Sequence, residues 1–568
     1  MQITKKDINT WISPKIKNQN NDNLSNIETE KVKFDKPVRV NADVALASLG
    51  VVAKTTSTQE QSNIKSSNVT GELISDEMLN GQSGNVTSIF YVNDIHGRLS
   101  NMERITTASL NFDKTMPSYV DTLKFSAGDI MLGSSLSVNQ AANSFLNANN
   151  FMANVIGNHE VDQNIGDFLT ATQDAVYKVM GANTDIDKST KLYNRVIDSY
   201  IQEDKDSNKY AIIALMPFDL ELRSSNKALF DVLEVKQKEE TIQYLQNEIA
   251  RYSDEGINRV IVLSHIGYQN DIDIAKSVQG IDIIIGGHSH DLVDDLTVGD
   301  NLIISKESGA PTIITQAGRD GNYYGILNVQ FDDNGEIIKA ENIVKPTSVL
   351  ERNLDMQKEF NKFLGEPEIV GRINSAAEMP KNNLKEENPH ASFLTDIMRK
   401  KYDTDIALIN AGTIRGAFSS GDISTRDIGE IFPFKDKIAV IDITEEKLVQ
   451  AVKYCATALK QEDGKPGLLQ VSGIRYSVSD DGELTSLLFE NKQGAKNLID
   501  INNPSSEKTY SIALPAPLTK GLDGFSMFKT NDDSVKIFDE HYSDIVIDYI
   551  KNCAEYINIQ KDERINIV

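Results

Sequence analysis

Five of the seven histidines in this 568-residue chain fall in four short motifs. They are His96 in Asn93-Asp94-Ile95-His96-Gly97, His159 in Gly157-Asn158-His159-Glu160, His265 after Val262-Leu263-Ser264, and His288 with His290 in Gly286-Gly287-His288-Ser289-His290. Each motif follows or ends an apolar run, where a buried strand delivers its last side chains to a cleft. With Asp94, Asp129 and Asn158 they supply carboxylate, imidazole and amide oxygen, the donors that hold a pair of divalent cations. The chemistry such a pair serves is hydrolysis of a phosphate ester. That reaction needs a nucleophile at neutral pH and positive charge against the phosphoryl oxygens and the leaving group, and two cations about 4 Å apart supply both.

The spacing divides the work. Asp94 and His96, two residues apart at a strand end, point to one side and suit a single ion. Asp129, in Ser126-Ala127-Gly128-Asp129, is the candidate bridge, with small neighbours that permit close approach. Asn158 offers a neutral carbonyl oxygen, and His265, His288 and His290 complete the two sets. Taken singly these residues have plainer readings: Asp129 as a turn former, His265 as a core histidine, Asp162 as a helix cap. Their joint order carries the metal reading.

The elements that must position them can be read from the alternation of patterns. Between 86 and 346, short β-branched runs at 88–92, 122–126, 211–216, 259–264, 281–285 and 312–316 predict strands, and Ile242, Leu245, Ile249 and Tyr252 share one helix face. This alternation predicts an α/β layered domain. Residues 347–367 read as a linker helix, with Met356, Phe360, Phe363 and Leu364 at helical spacing before Gly365 and Pro367. A second α/β domain, 368–568, follows, with a helix near 390–402 and strands near 406–409 and 438–443. Residues 1–85, rich in Asn, Ser, Thr, Lys and Glu, read as a polar, disordered extension.

Composition narrows the partners. With 83 acidic against 58 basic residues the formal charge is −25, which disfavours nucleic acid and anionic membranes and leaves a small molecule as the expected substrate. The two cysteines, Cys455 and Cys553, cannot build a disulfide framework or a cysteine zinc site. No apolar run approaches the roughly 20 residues of a membrane span. The first 23 residues lack the apolar core of a secretory signal, and the apolar run at 44–53 is a weak candidate for one, so the compartment stays open, as does the oligomeric state.

The order Asp-x-His, Gly-Asp, Gly-Asn-His-Glu, His, Gly-His-x-His resembles the calcineurin-like metallophosphoesterases. Further strings resemble their 5′-nucleotidase, 2′,3′-cyclic phosphodiesterase and UDP-sugar hydrolase branch: Gln316-Ala317-Gly318, Asn410-Ala411-Gly412-Thr413-Ile414-Arg415, Phe432-Pro433-Phe434, Gln470-Val471-Ser472-Gly473-Ile474-Arg475-Tyr476 and Asp523-Gly524-Phe525. The resemblance implies a four-layer αββα sandwich, then a second α/β domain that binds the substrate. It implies two divalent ions, zinc or manganese, the first held by Asp94, His96, Asp129 and His290 and the second by Asp129, Asn158, His265 and His288. His159 would act on the phosphate and leaving group, oriented by Asp162. Asn410, Arg415, Phe434 and Asp523 would bind a nucleotide, with Phe434 stacking on the base and Asp523 on the ribose.

Two positions depart from that pattern. Pro517 stands where a second stacking ring is expected, and Lys385 and Glu386 occupy the neighbourhood of an expected arginine. The implied activity is release of phosphate from nucleoside monophosphates. The alternatives are the same centre acting on a 2′,3′-cyclic nucleotide, UDP-sugar or sulfur ester, and a surface interaction protein on this scaffold. The family is usually exported, to the periplasm or outside the cell.

Overall fold

The computed structural model describes residues 73–75, 78 and 86–568, apart from 133–134, 163, 225, 306–307, 381, 435, 462–463, 531–533 and 554–555. The apolar run at 44–53 lies outside the described residues, as does nearly all of the 1–85 extension. Within that extension, Ile74 and Met78 are buried against Val86 and Val120, and the Ser75 backbone N–H donates to Glu341 Oε2 at 3.0 Å.

The chain divides into two compact units at Gly365/Glu366. Among the described residues the first contains two large sheets and a two-stranded pair, Thr184–Ile186 with Leu233–Val235. The seven-stranded sheet runs in the order Ile337–Pro346, Tyr323–Phe331, Val86–Val92, Asp121–Ser126, Ala153–Val155, Lys178–Met180, Val196–Ile197. The six-stranded sheet runs Leu302–Ile304, Pro311–Thr315, Ile283–Ile285, Val260–Ser264, Lys209–Leu215, Ser199–Glu203. The central strands are buried on both faces, which is why their sequences are continuous apolar runs rather than alternating ones.

Side-chain direction assigns the layers. In Val86–Val92 the hydroxyls of Thr87 and Tyr91 meet Tyr210 and Thr315 of the other sheet, while Phe90 turns the opposite way onto Phe112 of the helix Leu99–Thr115. In the second sheet, Ile212 and Ala214 join the core shared by both sheets, and Ala211, Ile213 and Leu215 pack with Leu245, Ile249 and Tyr252 of the helix Lys238–Asp254. Two packed sheets with helices on their outer faces are the expected four-layer αββα arrangement. The helix Leu354–Leu364, capped by the Asn353 side chain, buries Met356 and Phe360 in the core of this first unit. Its apolar face is therefore covered by the unit that precedes it.

The second unit has sheets of five, four and three strands. Its expected helix is Pro389–Lys401 and its expected strands are Ile406–Ile409 and Lys437–Thr444. The strand Ile406–Ile409 leads into the turn 410–415, and buried Asn383 holds that turn by donating to the carbonyls of Ala411 and Ile414 at 3.0 and 3.1 Å. No helix among the described residues is long and apolar enough to cross a membrane.

Candidate functional site

Strands that run parallel put their carboxyl ends on one edge of a sheet, and ligands bind where such edges lie. Val86–Val92, Asp121–Ser126 and Ala153–Val155 are parallel neighbours, as are Lys209–Leu215, Val260–Ser264, Ile283–Ile285 and Pro311–Thr315. Every expected metal-binding residue follows the carboxyl end of one of these strands. The two packed sheets bring the ends together.

Asp94 Oδ1 lies 3.4, 3.7 and 3.8 Å from Nε2 of His290, His96 and His265. Asp129 Oδ2 lies 3.1 Å from His265 Nε2 and 3.5 Å from His96 Nε2. Two donors each about 2.1 Å from one ion stand about 3.0 Å apart at a right angle and about 3.4 Å apart at the tetrahedral angle. These separations therefore match the edges of a coordination shell. Among the described residues, three sets have donor atoms all within 4.8 Å of one another: Asp94, His96 and His290; His96, Asp129 and His159; Asp129, His265 and His288.

The centre fits a cation on independent grounds. Asp94 Oδ1, His96 Nε2, His265 Nε2 and Asn158 Oδ1 are buried and make no hydrogen bond. Each such atom costs about 1–3 kcal/mol unless something else satisfies it. Burial acts against a charged imidazole at His96, yet Asp129 and Asp320 outweigh it and hold that ring up to about 10; Asp129 and Asp94 do the same for His265, also to about 10. The carboxylates therefore call for positive charge at this point, and oxygen and imidazole donors suit divalent metals.

Backbone strain marks the same place. Among the described residues, Asp94, His96, Asp129, His288, His290 and Asp320 all have φ between +50° and +76°. L-residues with a Cβ adopt this region at a cost of about 1–2 kcal/mol each, and such strain persists only where packing overdetermines it. The glycines of the motifs explain themselves through contact. A Cβ on Gly157 would lie 2.2 Å from Asp129 Oδ1, and one on Gly287 would lie 2.7 Å from the Ala127 carbonyl.

Several residues that sequence reasoning left unassigned hold the centre in place. Glu160, buried, accepts from the backbone N–H groups of Asp129, Ile130 and Gly157 at 2.8–3.0 Å and so ties two strand ends together. Asp320 Oδ1 meets His96 Nδ1 at 3.2 Å, the Ala127 carbonyl accepts from His265 Nδ1 at 2.6 Å, and Asp219 Oδ1 meets His288 Nε2 at 3.0 Å. Asn93 donates to Asp94 Oδ2 at 2.8 Å and so orients it. Glu160 lay inside a quoted motif and Asp320 two residues beyond one, but nothing local distinguishes them from other acids. Asp219 has no motif at all.

His159 is half-exposed, and its Nδ1 meets Asp162 Oδ2 at 2.6 Å. Its backbone N–H donates to Asp129 Oδ1 at 2.8 Å, and its ring packs edge-on at 5.1 Å from that of His96. Burial disfavours the charged ring, but the Asp162 and Asp129 carboxylates raise His159 above the ordinary imidazole range.

In the second unit the four expected substrate residues form two pairs along the turn 410–415. Asn410 Nδ2 donates to Asp523 Oδ2 at 2.8 Å, and the Arg415 guanidinium lies 5.3 Å from the centre of the exposed Phe434 ring. Asp523 sits at φ +53° beside Gly524, with the Tyr454 hydroxyl donating to its carbonyl at 2.9 Å. Pro517 lies in the 3₁₀ turn Ala516–Lys520.

Comparison with known proteins agrees with this architecture. The family described as 5′-nucleotidase, C-terminal domain, matches residues 369–530. The trifunctional nucleotide phosphoesterase protein YfkN of Bacillus subtilis is 28% identical over 498 residues, covering 78% of this chain, and this chain spans 32% of that protein's length. The snake venom 5′-nucleotidase of Crotalus adamanteus is 24% identical over 522 residues, covering 82% of this chain and 86% of its own. The crystal structure of a 5′-nucleotidase precursor from Thermus thermophilus superposes with a TM-score of 0.58 over 85% of this chain and 99% of that one, at 20% identity, a likeness of fold. By these matches residues 369–530 form a 5′-nucleotidase C-terminal domain, and the chain as a whole is similar to 5′-nucleotidases and nucleotide phosphoesterases.

Proposed function

We propose that this protein is a metal-dependent phosphohydrolase that releases phosphate from nucleoside monophosphates. The observation that carries this reading is the convergence of Asp94, His96, Asp129, Asn158, His265, His288 and His290, with four buried donor atoms unsatisfied, at the carboxyl ends of two sheets. Asp94, His96, Asp129 and His290 would hold one divalent ion, and Asp129, Asn158, His265 and His288 a second, zinc and manganese being the ions these donors suit best. When bound, the pair supplies a nucleophile at neutral pH and charge against the phosphoryl oxygens.

The chain's own residues do the rest. His159, with Nδ1 engaged by Asp162 at 2.6 Å, presents Nε2 to the ester and passes a proton to the departing oxygen. Glu160 keeps the Asp129 turn and the Gly157 turn in register, so that His159 and Asp129 move as one piece. The first unit carries the hydrolysis. The second recognises the nucleoside, Phe434 through the face of the base, Arg415 and Asn410 through polar contacts, and Asp523 through the ribose hydroxyls.

Relatives support the substrate class through what they are called: a nucleotide phosphoesterase in Bacillus subtilis and a 5′-nucleotidase in Crotalus adamanteus. The test is phosphate release from a panel of nucleoside monophosphates, UDP-glucose and 2′,3′-cyclic AMP, with the protein stripped of metal and then given manganese or zinc. Metal-dependent release from the monophosphates is the expected result. A second reading keeps the centre and changes the ester, and Pro517 in the place of a second ring favours it; turnover of the cyclic or sugar substrates alone would select it. Replacing Phe434 by Ala is expected to raise KM for a monophosphate about 10-fold, the worth of one stacked base, while kcat changes less than about twofold. An unchanged KM in steady-state kinetics would remove Phe434 from the base site.

A further inference from the structure

Three imidazoles at the centre, His96, His265 and His288, rest one ring nitrogen on a fixed partner, but the partners are not equivalent. His96 Nδ1 rests on Asp320 Oδ1 at 3.2 Å, and Asp320 is buried and flanked by Arg98 at 3.7 Å and Arg319 at 3.4 Å. His265 Nδ1 donates to the Ala127 carbonyl at 2.6 Å, inside the core. His288 is supported from outside. Its Nε2 meets Asp219 Oδ1 at 3.0 Å, and Asp219 Oδ2 accepts from Arg223 Nε at 2.7 Å.

Asp219 immediately precedes the one-turn helix Leu220–Arg223, on which Leu222 is 86% exposed; the side chains of Asp219 and Arg223 are 31% and 61% exposed. A ring nitrogen held 3.0 Å from a carboxylate oxygen is not free to bind a cation, which leaves Nδ1 of His288 as the donor for the group it forms with Asp129 and His265. Such a carboxylate also makes the opposite nitrogen a stronger donor, and losing it costs a metal site about 10- to 100-fold in affinity. Asp320, buried, and Asp219, partly exposed and leading into an exposed one-turn helix, therefore support His96 and His288 with unequal rigidity.

We infer that Asp320, through His96, and Asp219, through His288, set the affinities of the two cation positions separately, and that the position resting on Asp219 is the one that exchanges its ion. This inference rests on the two-cation reading above. It assigns Asp219 as a positioning residue on a turn that no motif marks. An ion at the second position would rest on a partly exposed support, whereas one at the first would rest on the buried Asp320, flanked by Arg98 and Arg319.

The test is calorimetric titration of the full, metal-stripped chain with manganese, read together with the manganese retained per chain after dialysis. The wild type is expected to bind two ions in distinguishable steps, the weaker one lost first on dialysis. Asp219→Asn is expected to weaken only the weaker step, about 10- to 100-fold. Asp320→Asn is expected to weaken the tighter step by a similar factor and leave the other within about twofold. Arg223→Gln keeps every donor and the Asp219 carboxylate, and lies on an exposed turn where substitutions leave folding intact; it should weaken the weaker step about threefold. If Asp219→Asn weakens both steps equally or neither, or if Asp219→Asn and Asp320→Asn act on the same step, the inference is overturned. A wild-type chain that binds one ion or none overturns the two-cation reading, and the inference with it.

Discussion

Replacing His159 by Ala is expected to lower kcat about 10²- to 10⁴-fold while the chain keeps its full complement of metal. The geometry sets this expectation. His159 is anchored twice, by its backbone N–H on Asp129 Oδ1 at 2.8 Å and by Nδ1 on Asp162 at 2.6 Å, so only Nε2 remains to meet a substrate. The same geometry offers a rival role, because a nitrogen of His159 lies within 4.8 Å of donors on His96 and Asp129. Metal analysis of the purified variant separates the two. Retained metal with collapsed turnover fits a residue that acts on the ester, whereas loss of an ion along with activity would make His159 a ligand. Asp162→Asn, which leaves the ring in place but weakens its orientation, should cost less, about 10-fold in kcat.

Asp129→Ala should be the more damaging change, with metal content falling below one ion per chain and turnover dropping at least about 10³-fold, several kcal/mol of charge stabilisation. Its Oδ2 is the atom that approaches both His265 and His96, at 3.1 and 3.5 Å, and its Oδ1 takes the backbone N–H of His159. One side chain thus ties together both halves of the centre and the residue proposed to protonate the leaving group. Asn158→Ala removes a single neutral donor, so it should release about one ion. Equal loss in the two variants, measured by metal analysis after identical dialysis, would contradict a bridging role for Asp129.

Much of the first unit was legible because its signals are local. A strand buried on both faces has to be an unbroken apolar run, so 88–92, 122–126, 211–216 and 259–264 announced themselves and coincide with strands to within a few residues. The same physics placed the motifs at strand ends, and hence the metal-binding candidates. The second unit was less legible. The edge strand Lys536–His541 and the short strands Ile557–Ile559 and Ile565–Ile567 are mostly exposed or three residues long, and such segments carry no periodicity strong enough to read.

By itself, then, the sequence determined the layered α/β class, which residues have the chemistry of metal donors, and a negative charge that disfavours nucleic acid and anionic membranes, since composition, apolar run length and motif order are local properties of the chain. Only the tertiary structure decided which acids serve that centre. Asp219, Asp320 and Glu160 are ordinary surface-type residues by sequence, and they gain a role because the fold brings them to His288, His96 and the Asp129 turn across 69, 224 and 31 positions, respectively, of chain. The left-handed backbone at Asp94, His96, Asp129, His288 and His290 is likewise a tertiary outcome. A side chain at such an angle is unfavourable in isolation and is held there by the packed sheets whose ends it closes.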